Sequence, residues 1–509
     1  MAATSVGAGI LLSRLAGLVR QVLFAKYFGQ TSEAADAFQM AFRIPNLLQN
    51  LFGEGALSAS FIPVHSGLRA RGEHAAAAQM ARTFFAILTL AISVLVLLGV
   101  VAAPWMVTVI APGFVGPKRD LTIHLVRVLF PGAGLLVASA WCLGVLNSHG
   151  KFLLAYTAPV AWNAAMIATL IHFGDQHGIE WLSMDLAWGS VAGSFLQFAV
   201  QAPFAWSLSR HPGRAALTEP VRLAVRNFVP IMVSRGAVQL TAYIDAWIAS
   251  WLPTGAVAAL ANAQILYTLP VSLFGISISA AELPGMSGEA AGAEGYAALR
   301  RRIDSGLRRL AFFVVPSAVA FAALGDVIAG ALLQRGRFGP DDARYVWAIL
   351  AGASVGLLAT TMARLYSVAH YALGDTRRPL RFALVRLAVA TLLGYVCAIL
   401  LPPRLGVGAQ WGAAGLTASA GVAGWIEFAL LRASVTKHIG RTGLSASYLS
   451  RLWIAGASAA AAAWAVKLAL PSLEPLARGA AVLPVFGVAF LGAALLMRIP
   501  IPGLKARGR

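Results

Sequence analysis

Four arginines stand inside stretches of the chain that are otherwise apolar, at Arg14, Arg20, Arg43 and Arg235. An ionisable side chain near the middle of a bilayer costs about 2.5–3.5 kcal/mol on insertion scales, so such residues are candidates for function. A guanidinium is well suited to bind phosphate, because its planar donors pair with two oxygens at once. Few acidic residues lie near these arginines in the sequence. The pattern therefore predicts a cavity that attracts a polyanion.

A polar helix face is predicted for the second apolar stretch. Asp36, Arg43, Asn50 and Glu54 follow one another at intervals of seven, seven and four residues. At 100° per residue, these positions fall within about 40° of one another on a helix. This face should line a watery cavity, and Pro45 should kink the helix because it lacks a backbone donor. The alternative is that Asp36 and Glu54 are interfacial residues at the two ends of the span.

A second alternative is that the arginines are neutralised by carboxylates on other helices. The candidate pairs are Arg43 with Glu54, Arg235 with Asp245, and Arg364 with Glu427 as a structural pair. Asp245 could instead hold a coupling cation. The sequence contains no Walker A loop, so we expect that ATP does not drive the process directly.

The elements that position these residues follow from composition. Of the 509 residues, 59% are hydrophobic and only 12% are charged, whereas soluble proteins carry roughly a quarter charged residues. This excludes a soluble enzyme, a secreted disulfide scaffold and a disordered tail. Each of fourteen apolar stretches is long enough to cross about 30 Å of hydrocarbon. They lie near residues 5–28, 34–64, 84–112, 121–146, 152–173, 182–208, 223–252, 256–284, 308–334, 343–371, 380–401, 411–432, 449–470 and 477–497. The prediction is an all-α polytopic membrane protein with fourteen transmembrane helices.

Charge placement predicts the orientation of these helices. Of the 40 Lys and Arg residues, 24 fall in one set of alternate loops and the C-terminal tail, and nine fall in the opposite set. This excess predicts that both termini are cytoplasmic. It also indicates that the net charge of +20 serves to orient the protein and to attract anionic membrane lipids, rather than to bind nucleic acid. Because no loop exceeds about 25 residues, we expect no folded extramembrane domain and no enzyme activity. The sequence shows no metal or cofactor motif.

An internal repeat indicates the architecture. An offset of 221 residues carries Ser13-Arg14 onto Ser234-Arg235, Ser58-Ala59 onto Ser279-Ala280, and Pro63 onto Pro284. Six spans separate the copies, and an even number preserves direction, so a parallel pseudo-twofold axis should relate two six-helix lobes. The predicted domains are an N-terminal lobe over 1–208, a C-terminal lobe over 209–448, and two additional helices with a basic tail over 449–509. Two lobes around a central cleft are typical of alternating-access transporters.

The chain contains several specific motifs, most of them between Ser13 and Val64. They are Ser13-Arg14-Leu15-x-Gly17-x-x-Arg20, Phe28-Gly29, Ala35-Asp36-Ala37-Phe38, Phe42-Arg43-Ile44-Pro45-Asn46-Leu47-Leu48, Gly53-Glu54-Gly55-Ala56, Phe61-Ile62-Pro63-Val64, Arg335-Gly336-Arg337-Phe338, and Tyr371-Ala372-Leu373-Gly374-Asp375-Thr376-Arg377-Arg378-Pro379. These motifs resemble those of the MurJ (MviN) family, which belongs to the MOP flippase superfamily. The resemblance runs through all fourteen spans and is most specific between Ser13 and Val64.

The resemblance implies a flippase that moves lipid II, the undecaprenyl-diphosphate-linked peptidoglycan precursor, to the outer leaflet of the bacterial inner membrane by alternating access. It implies a cationic cavity in the N-terminal lobe and a groove for the lipid tail beside the last two helices. The residues assigned to the cavity are Arg14, Arg20, Asp36, Arg43, Asn46, Asn50, Glu54 and Arg235. The alternative is a MOP-type exporter of another polyprenyl-linked glycan or amphipathic substrate. We expect a monomer without a cofactor, with cell-wall synthesis proteins as candidate partners.

The sequence departs from the family pattern at two sites. Gln49 stands where the family often has a basic residue, and Gln264-Ile265 stands where it commonly has an Asp-Arg pair before a proline. Residues 380–401 contain neither Asn nor Asp, so the sodium site of some family members is not expected here. The driving ion and the substrate variant stay open at this point.

Overall fold

The computed structural model describes residues 2–210, 216–291 and 295–502, and within these ranges the chain is helical with short connections and no strand. This confirms the all-α prediction. The contacts divide the chain into two compact units, Met1–Val257 and Ala258–Arg509.

The first unit contains eight α-helices in its described part. They are α1 (Ala2–Phe28), α2 (Glu33–Phe52), α3 (Glu54–Ala70), α4 (His74–Ile110), α5 (Gly116–Ser148), α6 (Phe152–Phe173), α7 (Ile179–Leu208) and α8 (Glu219–Ser250). Helix α5 lies at the centre of this unit, where it packs against α2, α3, α4 and α7. It has small or apolar residues on all of its sides, as expected of a helix surrounded by other helices.

The second predicted span is interrupted at Gly53. Helix α2 continues through Pro45 and ends at Phe52, and Gly53 adopts an extended conformation with φ −79° and ψ −156°. A Cβ atom at this position would lie 2.1 Å from the carbonyl oxygen of Gln49, which is why only glycine fits. The sequence predicted a kink at Pro45, whereas the interruption lies eight residues beyond that proline.

The second unit contains the remaining helices. They are α9 (Ala256–Pro270), a π-helical segment (Val271–Ile276), α10 (Ser277–Ala291), α11 (Gly295–Leu333), α12 (Pro340–Ala372), α13 (Arg377–Tyr395), a second π-helical segment (Val396–Leu400), α14 (Leu401–Arg404), a 3₁₀ turn (Ala409–Trp411), α15 (Gly412–Ile439), α16 (Ala446–Ala469) and α17 (Pro475–Leu496). The repeat offset of 221 carries Gly53 onto Phe274, within the first π-helical segment. The second span of the second predicted lobe therefore stays helical, but its α-helical hydrogen bonding changes to π-helical at the position that matches Gly53.

Ten helical segments of the described chain are long and apolar enough to cross a membrane. The four predicted spans outside this set correspond to α1, α2 with α3, α7 and α8. Most of the predicted site residues lie on α1, α2 and α8, and charged side chains lower the apolar character of a helix. The count of fourteen spans stays a prediction. The same is true of the domain boundaries, although α8 packs against α2, α3 and α4 of the first unit.

Candidate functional site

Arg20 is a half-buried cation on α1 that is held by aromatic rings rather than by an acid. Its Cζ atom lies 4.8 Å from the ring centre of Trp162 on α6 and 5.7 Å from that of Phe42 on α2. Its Nη1 atom donates toward the sulfur of Met166, at 3.8 Å. Among the side chains that the structure describes, none of the carboxylates forms an ion pair with Arg20. The guanidinium therefore keeps its charge available for an anion.

A small recess of about 20 Å³ lies beside the Arg20 side chain. It is formed by α1, α2, α6 and α7, and it contains two glutamine amides among aromatic and apolar side chains. The residues that line it are Arg20, Gln21, Phe24, Phe38, Gln39, Phe42, Met166 and Leu186. A cation in such an apolar setting interacts strongly with an anion, because little water screens the two charges.

Asp36 is buried and paired. Its side chain is 1% exposed, and its Oδ2 atom lies 2.7 Å from Nζ of Lys118 on α5. The same oxygen accepts a hydrogen bond from the backbone N–H of Gly255, at 2.8 Å. Lys118 also lies over the ring of Phe114, with Nζ 4.1 Å from the ring centre. Asp36 thus joins α2 to α5 and to the connection after α8, and its charge is balanced within the protein.

Arg43 interacts with an acid on α8. Asp245 is the carboxylate that attracts its guanidinium, and the Tyr243 hydroxyl donates to the backbone oxygen of Arg43 at 2.8 Å. The structure thus brings Arg43 and Asp245 together. Both residues lie on the face where α2 and α8 pack. The sequence offered Arg43 with Glu54 and Arg235 with Asp245 as pairs. Because the side chains of Glu54 and Arg235 lie outside the described residues, both of those pairs stay predictions.

The other predicted cavity residues are not joined to this cluster by described contacts. Arg14 is exposed on α1, and Asn46 and Asn50 are half-buried on α2. Glu54 and Arg235 lie in helices α3 and α8, but their side chains are outside the described residues. Their assignment to a cavity stays a prediction.

A charged cluster in the second unit corrects one predicted pair. Glu427 on α15 pairs with Arg386 on α13, with 3.1 Å between Nη1 and Oε2. Arg364 on α12 is exposed. The predicted pairing of Arg364 with Glu427 is therefore wrong, because α13 packs along α15 and brings Arg386 to the carboxylate. The Tyr267 hydroxyl lies 3.3 Å from Oγ1 of Thr360 in the same unit.

Sequence reasoning missed three residues of the first unit's site. Trp162 and Met166 stand within an apolar stretch, where aromatic and sulfur-containing side chains usually serve packing. Lys118 was counted among loop charges because it follows the short connection before α5. Its position at the end of the segment Phe114-Val115-Gly116-Pro117-Lys118 carried no signal of a partner 82 residues away.

Comparison with known proteins shows the same family that the motifs indicated. Residues 24–477 match the family described as Lipid II flippase MurJ. The lipid II flippase MurJ of Burkholderia cenocepacia is 31% identical over 438 residues, which cover 84% of this chain and 82% of that protein. A probable lipid II flippase MurJ of Rhizobium meliloti is 31% identical over 475 residues, covering 90% of this chain and 85% of the relative.

Solved structures share the fold. A lipid II flippase MurJ in an inward closed conformation superposes with a TM-score of 0.77 and 21% identity, over 97% of this chain and 98% of the other. An inward-facing MATE family multidrug transporter of the MOP superfamily gives a TM-score of 0.67 and 16% identity, over 84% and 95% of the two chains. The family match spans most of the sequence and the fold agrees with it, so this multi-pass membrane protein belongs to the lipid II flippase MurJ family.

Proposed function

We propose that this protein moves lipid II from the cytoplasmic to the outer leaflet of the bacterial inner membrane by alternating access. Membership of the MurJ family supports this function, since relatives that are 31% identical carry the name lipid II flippase. The excess of Lys and Arg in one set of loops supports cytoplasmic termini. In this proposal the protein acts as a transporter rather than as an enzyme.

The observation that carries the proposal is the unneutralised charge of Arg20. Asp36 and Arg43 each have a partner of opposite charge within the first unit, so neither needs a ligand. Arg20 instead lies on aromatic rings in a recess among α1, α2, α6 and α7. A diphosphate offers the paired oxygens that a guanidinium binds in two-pronged fashion. Arg20 is therefore the residue that we assign to the diphosphate group of the substrate.

The remaining assignments follow the same chemistry. Arg14 and Arg235 would add charge along the path of the diphosphate, and Asn46, Asn50 and Glu54 would bind sugar or peptide groups. Helices α16 and α17 would contact the hydrocarbon tail together with membrane lipids. We propose a monomer that needs no cofactor. Cell-wall synthesis proteins stay candidate partners.

The test is complementation of a bacterium depleted of its own flippase, read out as lipid II that is accessible from outside. Arg20→Ala should reduce outer-leaflet lipid II roughly 10- to 100-fold, because a charged hydrogen bond contributes about 1.5–3 kcal/mol. Arg20→Lys should restore part of the activity, since lysine keeps the charge but lacks the two-pronged geometry. The matched control is Arg344→Ala, which removes an exposed arginine paired with Asp341 and should leave transport unchanged.

Two results would count against the proposal. If Arg20→Ala cells deliver lipid II at the unmutated rate with equal protein levels, Arg20 does not bind the substrate. If proteoliposomes with the purified protein translocate another polyprenyl-linked glycan but not lipid II, the protein is an exporter of the MOP type with a different substrate.

A further inference from the structure

The Trp162 ring, which lies beneath Arg20, is fixed from a neighbouring helix. Its Nε1–H lies 3.2 Å from both the backbone oxygen and the hydroxyl oxygen of Ser190 on α7. Gly193, one turn further along α7, allows this approach: a Cβ there would lie 2.8 Å from the Trp162 carbonyl oxygen and 2.9 Å from its ring. The indole plane is therefore set by α7 and not only by its own helix.

A second ring extends this surface. The Phe42 and Trp162 rings have centres 5.7 Å apart and planes only 21° apart. The Arg20 Cζ atom lies over both rings. Three helices thus contribute to one arrangement: α1 supplies the cation, while α2 and α6 supply its aromatic support.

Aromatic faces and a carboxylate stabilise a cation in different ways. A carboxylate would accept the N–H groups of the guanidinium and cancel its charge. A ring face attracts the cation through its quadrupole and leaves the charge in place. The N–H donors at the edge of the guanidinium then stay available for phosphate oxygens.

We infer that Trp162 is a positioning residue for substrate binding. It holds the Arg20 guanidinium in the recess as an unneutralised cation, and Ser190 fixes the orientation of the ring. This inference rests on the proposed function and extends it to residues that do not touch the substrate. Its alternative is that Trp162 only packs α6 against α7.

The experiment measures binding of lipid II to the purified full-length protein in nanodiscs and transport in proteoliposomes. Trp162→Leu should weaken binding roughly 5- to 30-fold, the range that cation–π energies of about 1–2 kcal/mol give. Trp162→Phe retains a ring and should stay within about threefold of the unmutated protein. Trp188→Leu makes the same change at an exposed tryptophan of α7 and should leave binding unchanged.

A double-mutant cycle with Arg20→Ala separates positioning from packing. If Trp162 acts through Arg20, Trp162→Leu adds no further loss of affinity in the Arg20→Ala background. If Trp162 only packs helices, the two losses multiply, and the inference is overturned. Equal transport by Trp162→Leu and unmutated protein would overturn it as well.

Ser190→Ala provides the same test without altering the ring, should the leucine variant fail to accumulate. It removes one of the two acceptors and should weaken binding about two- to threefold, again only while Arg20 is present. A loss that persists in the Arg20→Ala background contradicts the inference. Failure of the proposed function is recognised separately, because Arg20→Ala itself would then bind lipid II normally.

Discussion

The buried ion pair between Asp36 and Lys118 allows a quantitative prediction. The two side chains are 1% and 9% exposed, with 2.7 Å between Oδ2 and Nζ. Asp36→Asn keeps the shape of the side chain, and its amide oxygen can still accept from the Gly255 N–H. It leaves the Lys118 charge buried without its carboxylate. Removing one partner of such a pair costs about 3–5 kcal/mol, so the free energy of unfolding should fall by that amount.

Removal of both charges should be far less harmful. Lys118→Met alone strands the Asp36 carboxylate and should also cost about 3–5 kcal/mol. The double variant Asp36→Asn/Lys118→Met has no buried charge to solvate, so it should regain most of the stability. The exposed pair of Arg344 and Asp341 is the control, with side chains 68% and 92% exposed. Asp341→Asn should cost no more than about 1 kcal/mol.

The assay is reversible unfolding of the purified protein in mixed micelles, with circular dichroism as the readout of helix content. The reasoning would be refuted by a loss below about 1 kcal/mol for Asp36→Asn, since the pair would then be solvated like the control. It would also be refuted if the two single losses simply added in the double variant, because buried partners in contact must couple.

Three further predictions concern the second unit. Arg386→Met should lower the free energy of unfolding by about 1–3 kcal/mol, because the mostly buried Glu427 carboxylate loses its cationic partner. The loss is moderate because the Arg386 side chain is partly exposed. Lys467→Met removes the 2.6 Å contact with Asp326 that joins α16 to α11, so amide hydrogen exchange in α16 should become faster. Asp375→Ala should destabilise the start of α13 by about 1 kcal/mol. The backbone N–H of Arg378 lowers the pKa of Asp375, so this contribution is present above the ordinary carboxyl pKa and is lost as pH falls through the lowered one.

Each of these has a contrary outcome. Unchanged unfolding of the Arg386 variant would mean that Glu427 is solvated or protonated. Unchanged exchange in α16 would show that apolar packing alone holds it against α11. A stability difference between Asp375→Ala and the unmutated protein that is independent of pH would rule out the charged form of Asp375 as the acceptor for the backbone N–H groups of Arg377 and Arg378.

The sequence alone determined the fold class and the family. Apolar stretches of membrane-spanning length can form only helices or closed barrels in lipid. The predicted stretches are helical in the structure, although the second one is divided into α2 and α3. The motifs between Ser13 and Val64 identified the family that the comparison confirmed. The hydrophobic pattern could do this because it is local to each helix.

Only the tertiary structure decided which charges are neutralised. In the sequence, four arginines cannot be told apart, because each stands in an apolar stretch: Arg20, Arg43, Arg364 and Arg386. Their partners are separated by many residues along the chain: Asp245 for Arg43, Glu427 for Arg386, and the aromatic rings for Arg20. Helical periodicity gives the face on which a residue lies but not the helix that faces it. The electrostatic energy of two charges depends on the distance between them. That distance is set by the packing of the helices, so the order of residues along the chain does not identify the partners.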